Sequence, residues 1–220
     1  MNRIAIVGAH GKVARYLIEI LHARGDEAVG VVRNPEHADD ISRLGGLPAI
    51  VDIESAGVEE LAAAFAGADG VVFSAGAGPG SGVPRKRTVD FGGSVLSAEA
   101  AQRAGIRRFV QVSAVGVDDP VAVDADEQWA AYVVAKRDAD ASLRGSELDW
   151  TILRPVGLTD DPGTGLIALA ESVPRGTVPR QDVAATIAAV LDEPGSIGKT
   201  WELASGSVPI VDAVRRSRTA

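Results

Sequence analysis

Tyr132-Val133-Val134-Ala135-Lys136 sets a phenol and an ammonium four residues apart, which on a helix is a single face. The chain holds two tyrosines and four lysines, and the chance that a lysine falls four places after either tyrosine is about 4%. A free phenol ionises at about pH 10, so acid–base work near neutrality needs a neighbouring cation. Lowering that value by three units corresponds to about 4 kcal/mol. Lys136 is placed to supply part of it. Ser113 closes a β-branched run, and reactive groups in open α/β sheets gather at the carboxyl ends of strands. Its hydroxyl is expected to hold a substrate carbonyl beside Tyr132, with a turn or helix cap as the competing role.

A second constellation is Gly8-Ala9-His10-Gly11-Lys12-Val13-Ala14. It stands between an apolar run and an amphipathic segment, the context in which a glycine turn takes up a dinucleotide. Gly8 allows the tight turn, and Gly11 lets backbone approach a pyrophosphate. Ala14 keeps helix and sheet close, while the N–H groups at Lys12 and Val13 face the anion. His10 occupies a variable position of that turn, facing either the cofactor or solvent.

The choice of nucleotide turns on the end of the second strand. Val32-Arg33 stands there in place of the acidic residue that would bond a ribose 2′-hydroxyl. The Arg33 guanidinium suits a 2′-phosphate and stacking on adenine, so NADP is expected ahead of NAD. A surface arginine before a capped helix is the bland alternative. Asp52 follows the third strand, as an adenine-edge acceptor or an ordinary turn cap. Ser74-Ala75-Gly76 is small enough for backbone to pass close to the cofactor, and the packing-poor Pro79-Gly80-Ser81-Gly82 predicts a mobile loop over the site.

These residues need a scaffold that delivers strand ends to one edge. Apolar runs at 4–7, 28–32, 48–51, 70–74, 109–113 and 150–153 read as strands. Helical patterns at 58–65, 90–104 and 128–143 separate them, with Val13, Leu17, Ile20 and Leu21 on one face of the first helix. Asn34-Pro35-Glu36 caps another helix, and Gly25 is an expected stop. The alternation predicts an α/β, Rossmann-type doubly wound parallel sheet with right-handed crossovers, in one domain spanning 1–220. After Pro155 the pattern loosens: one helix carries Val183, Ile187, Val190 and Leu191, and one last strand covers 200–203. Residues 155–220 are therefore expected to form a small substrate-side cap.

Composition narrows the rest. With 30 acidic against 22 basic residues the net charge is −8, which argues against nucleic acid as a partner. Arg85-Lys86-Arg87 is the one dense basic cluster before the tail, the kind that is usually solvated. There is no cysteine, and His10, His22 and His37 lack metal-ligand spacing, so no metal site is expected. Apolar runs fall short of the ~20 residues that span a bilayer. No leader pattern precedes Ile4. A cytoplasmic chain, monomer or homodimer, acting on a small molecule is expected.

Taken together these residues resemble the short-chain dehydrogenase/reductase superfamily, in particular its atypical NAD(P)-binding members of the NAD-dependent epimerase/dehydratase type. The resemblance runs through Gly8-x-x-Gly11-x-x-Ala14, Arg33, Arg87-Thr88-Val89-Asp90 and Arg108-Phe109-Val110-Gln111-Val112-Ser113. It continues through Tyr132-x-x-x-Lys136, Leu148-Asp149-Trp150-Thr151-Ile152-Leu153-Arg154-Pro155 and Arg180-Gln181-Asp182-Val183-Ala184. It implies catalytic roles for Ser113, Tyr132 and Lys136, and puts Asp90 where the tetrad usually has asparagine. An ionised aspartate only accepts hydrogen bonds, and pairing with Lys136 would quench the lysine. Pro155 and Val156 are implied to lie against the nicotinamide. The activity implied is an NADP-dependent oxidoreductase acting on a small carbonyl or quinone-like molecule. A non-catalytic dinucleotide-sensing regulator, similar to NmrA-like proteins, and a flavin or pigment reductase are the other readings.

Overall fold

The computed structural model describes residues 1–78, 80–122 and 124–217. Pro79 of the expected mobile loop and the last three residues of the expected cap lie outside them.

The first strand, β1 (Arg3–Val7), alternates between two cores. Ile4 and Ile6 join one apolar cluster, Ala5 and Val7 the other. Burial on both faces is why it reads as a continuous apolar run. Helix α1 (Lys12–Ala23) buries Val13, Ala14, Leu17, Ile18 and Leu21. It ends before Gly25, which adopts a positive φ of 80°. Next come β2 (Glu27–Val32), a short 3-10 turn (Pro35–His37) and α2 (Ala38–Arg43). The Asn34 side chain caps that turn by accepting from the Glu36 N–H. The third strand, β3 (Leu47–Ile50), is mostly exposed, as suits an edge strand that tolerates Pro48. Helix α3 (Val58–Ala64), β4 (Gly70–Phe73) and a single turn, α4 (Val83–Arg85), follow.

The expected helix at 90–104 is two pieces. A π-helical stretch (Lys86–Gly92) runs into α5 (Gly93–Arg103). The wider winding has no periodic mark in a sequence, and such insertions gather at functional sites. Then come β5 (Arg108–Val112), α6 (Glu127–Arg144) and β6 (Asp149–Pro155).

After β6 the chain keeps adding to the same sheet. Strand β10 (Lys199–Ser205) pairs in parallel with β6, β8 (Leu166–Ala170) lies antiparallel to β10, and β11 (Val208–Pro209) antiparallel to β8. The sheet is therefore mixed at one edge and not parallel throughout. Leu-Ile-Ala-Leu-Ala at 166–170 is too short and uniformly apolar to declare a strand from its pattern. A parallel pair, β7 (Gly157–Thr159) and β9 (Thr177–Pro179), makes a second small sheet, and α7 (Arg180–Leu191) and α8 (Ile210–Ser217) complete the chain. The main order is β11-β8-β10-β6-β5-β4-β1-β2-β3. From β1 the chain steps outward to β2 and β3, then crosses back to β4 on β1's other side. That reversal opens a crevice at the carboxyl ends of β1 and β4.

Helices α1 and α7 pack together on one face, and α3 with α5 on the other. Asp182 of α7, 2% exposed, accepts from the Thr164 N–H at 3.0 Å, the Thr164 hydroxyl at 3.1 Å and the Gly165 N–H at 2.9 Å. It thereby moors the entry to β8. Among the described residues no helix is long and apolar enough to cross a membrane.

Asp182→Ala leaves those donors without their acceptor and is expected to cost about 2–3 kcal/mol. Urea unfolding followed by tryptophan fluorescence checks this. The whole transition should move, whereas an early separate step would show that the back of the chain unfolds on its own.

Candidate functional site

A cleft of about 450 Å³ lies at the carboxyl ends of β1, β2 and β4. Gly8, Gly11, Arg33, Asp52, Ser74 and Gly76 are among the residues lining it. Gly8 has φ 82°, and a Cβ there would come within 2.6 Å of the Ala75 Cα. The two strand exits can approach this closely only without a side chain between them. Gly11 precedes α1 with no side-chain cap, and the first turn holds no acidic residue. Among the described residues the N–H groups of Lys12, Val13 and Ala14 find no acceptor, since the first bond of the helix start is Arg15 N–H to the Gly11 carbonyl. Three free donors at a helix start beside a glycine turn fit a pyrophosphate. The Lys12 ammonium turns elsewhere, to Asp160 at 2.5 Å.

At the far end of the cleft Arg33, 54% exposed along its side chain, pairs with Glu54 at 3.0 Å. Arg85 of α4 reaches the same carboxylate at 2.6 Å and the Thr88 hydroxyl donates to it at 2.7 Å. The Arg85 bond, joined by the Thr88 bond and both guanidinium charges, holds the Glu54 carboxyl below its ordinary range. Arg85 and Glu54 are functional candidates that the sequence reading missed. The signal for Arg85 was the basic cluster it belongs to. Asp52 lines the cleft but already accepts from the Glu54 N–H at 3.0 Å, which is the turn-cap role. His10 is part-buried: its ring stacks on His37 with centroids 3.5 Å apart and bonds Asp40 at 2.9 Å.

The chemical end is reached through Gly76. A Cβ on Gly76 would stand 3.1 Å from Asp90 Oδ1, and Asp90 Oδ2 accepts from the Ala77 N–H at 3.1 Å. Asp90 is 1% exposed, and its Oδ1 has no hydrogen-bond partner. The nearest cation is Lys136, 3.6 Å away, whose ammonium donates to the Val112 carbonyl at 3.0 Å. Of the two roles open to Asp90, the structure has the carboxylate facing Lys136 as an ion pair.

Ser113 follows β5, and its hydroxyl donates to Asp140 at 2.9 Å. Asp140, fully buried, also accepts from Gln111 at 2.7 Å and from Arg154 at 2.9 Å. It lies four residues beyond Lys136, continuing the spacing that marks Tyr132 and Lys136, so its place was readable. Tyr132 is half-buried, with the Trp129 ring 5.6 Å away and the Lys86 ammonium 5.6 Å from its ring centroid. Among the described residues no hydrogen bond joins its hydroxyl to Ser113 or Lys136. Burial, then the charges of Asp90 and Asp140, push its phenol well above the usual value. Pro155 ends β6 and Val156 is buried, donating to the Leu203 carbonyl at 2.9 Å.

Comparison with known proteins agrees with this geometry. The NAD(P)H-binding family matches residues 8–194. The chain is 34% identical to a Bacillus subtilis protein named as an uncharacterized sugar epimerase, YhfK, over 97% of this chain and 99% of that one. It is similar in structure to a Bacillus halodurans protein named for an NAD-dependent epimerase/dehydratase, with 37% identity, TM-score 0.90 and coverage of 98% and 100%. It is also similar to the oxidoreductase ylbE of Lactococcus lactis, with 27% identity, TM-score 0.85 and coverage of 99% and 97%.

Two glycines with the same backbone sign separate strain from contact. Gly25→Ala meets only open space and should cost about 1–2 kcal/mol with dinucleotide binding kept. Gly8→Ala adds the collision with Ala75 and should lose binding as well. Thermal melts and NADPH fluorescence titration of both variants measure the difference.

Proposed function

The chain belongs to the NAD(P)H-binding family, and from that premise we propose that it is an NADPH-dependent oxidoreductase of the short-chain type, reducing a small carbonyl-like substrate. The observation that carries this reading is the contact between Asp90 and the cleft wall at Gly76, with Lys136 directly behind. Through it the Tyr132–Lys136 helix face abuts the space that a dinucleotide would fill.

When bound, NADPH supplies the hydride. The chain's own residues do the rest. Tyr132 stays protonated because burial and two carboxylates oppose its ionisation, which suits a donor giving its proton to the carbonyl oxygen of the substrate. Ser113 spends its proton on Asp140. Its oxygen is therefore ready to accept from a product alcohol, and it must turn from Asp140 to donate to a substrate carbonyl. Arg33 and Arg85, both held by Glu54 and with Asp52 beside them, present two guanidiniums at that end of the cleft, and their capacity for bidentate bonds to a 2′-phosphate supports NADP over NAD. Arg175 ties the 157–175 stretch to the loop after β5 through Asp119 at 2.8 Å. We assign substrate selection to this stretch and to the 76–82 loop.

The Asp90–Lys136 pair supports a second reading, a protein that senses the dinucleotide without turning it over, because it lowers the net charge next to Tyr132.

Titration with NADPH and NADH tests the cofactor assignment. Arg33→Ala should weaken NADPH about 10-fold or more, the worth of a charge-assisted bond, and leave NADH nearly unchanged. Equal affinities for both nucleotides in the wild type would remove the role given to Arg33. Steady-state pH profiles test Tyr132. With its ionisation pushed upward, carbonyl reduction should stay level from about pH 6 to about pH 9, while alcohol oxidation climbs throughout that range. Tyr132→Phe should remove most of both activities, and unchanged turnover would refute its assignment.

A further inference from the structure

Lys86 opens the π-helical stretch and is 7% exposed. Its ammonium donates to the Gly78 carbonyl at 2.8 Å and faces the ring of Tyr132. Among the described residues no carboxylate lies within ion-pair reach of it. A buried ammonium with a single carbonyl partner is expensive to keep, and the phenol chemistry described above makes no use of it.

The other cations grouped around Tyr132 each have a carboxylate within ion-pair reach. Lys136 faces Asp90 at 3.6 Å, both buried. Asp140 is held by Arg154 of β6, which also reaches Asp118 at 2.6 Å. Arg87 pairs with Asp138 at 3.0 Å, and Arg85 with Glu54. Arg137 and Arg144 of α6 also lack an ion pair, but among the described residues of the π-helical stretch, α4, α6 and β6, Lys86 is the cation that faces the phenol ring with no carboxylate in ion-pair reach. We propose that Lys86 is the positioning residue that favours departure of the Tyr132 proton, the electrostatic role that the family resemblance gives to Lys136. As the proton leaves, negative charge spreads from the oxygen into the ring. A cation 5.6 Å from the ring centroid attracts that charge. Lys136 attracts the same charge, but Asp90 repels it from nearly the same place.

This inference rests on Tyr132 as the proton donor. Its test needs neither cofactor nor turnover, so the two can fail separately. 2,3,5-Trifluorotyrosine placed at position 132 brings the phenol into a range where the protein stays folded, and 19F NMR follows its ionisation in the full chain. Lys86→Met should raise the midpoint by about one unit, a tenfold change in the ionisation constant. Lys86→Arg should hold it near the wild-type value. Lys86→Gln keeps a donor for the Gly78 carbonyl without the charge, and should rise as Lys86→Met does even where the methionine variant folds poorly. The double variant Asp90→Asn/Lys136→Met should move the midpoint less than Lys86→Gln. A folded Lys86→Gln protein with the wild-type midpoint would reduce Lys86 to a tether for the loop at Gly78 and overturn the proposal. A larger upward shift in the double variant would return the role to Lys136.

Discussion

Asp90 and Asp140 are buried behind the cleft, and the geometry of the chemical end follows from how each is compensated. Ionised carboxylates in such places persist only when paired and hydrogen-bonded. Asp140 draws in Ser113 and Gln111 from the end of β5 and Arg154 from β6, so one helical side chain fixes two neighbouring strands. Asp90 holds the Ala77 N–H and faces Lys136. It joins the π-helical stretch, the loop after β4 and α6 in the same way. These contacts keep the helix face bearing Tyr132 against the edge of the sheet.

That compensation has chemical consequences. Ser113 and Lys136 are the side chains one would first expect to touch a substrate and tune a phenol, yet both are engaged by carboxylates. Ser113 faces the site as an acceptor, and Lys136 meets a negative charge as near as its own. The phenol, pushed upward by burial and by those carboxylates, is then a good keeper of its proton. Under the proposed reading, such a phenol would give a proton to a carbonyl more readily than take one from an alcohol. At the other end Glu54 arranges Arg33 and Arg85 by the same principle, a carboxylate holding cations in place, but in the open, where the guanidiniums keep their capacity to meet a phosphate.

Much of the scaffold was legible because its causes are local. Strands buried on both faces leave uninterrupted β-branched runs, as in β1 and β4, and the glycine turn declares itself by Gly8, Gly11 and Ala14 between a strand and a helix. Tyr132 and Lys136 were found by spacing alone. What stayed hidden depends on partners distant in sequence. The place of Asp140 follows from its spacing after Lys136, but its partners Arg154 and Gln111 come from other elements and leave no mark beside it in the sequence. Lys86 and Arg85 belonged to a run that reads as solvated, and only the fold buries Lys86 at the start of the π-helical stretch and brings Arg85 to Glu54. The antiparallel edge at β8 and β11 was hidden because short apolar pieces do not declare their direction.

The most direct test of the account is a single-turnover reaction with NADPH deuterated at the transferable position of C4, run against a panel of small ketones, aldehydes and quinones. Mass spectrometry of the products reads the result. The account predicts one deuterium on the reduced carbon, with transfer far slower in Tyr132→Phe. Saturating NADPH binding with no transfer to any member above the rate of the Tyr132→Phe protein would contradict it and make this a dinucleotide-sensing fold.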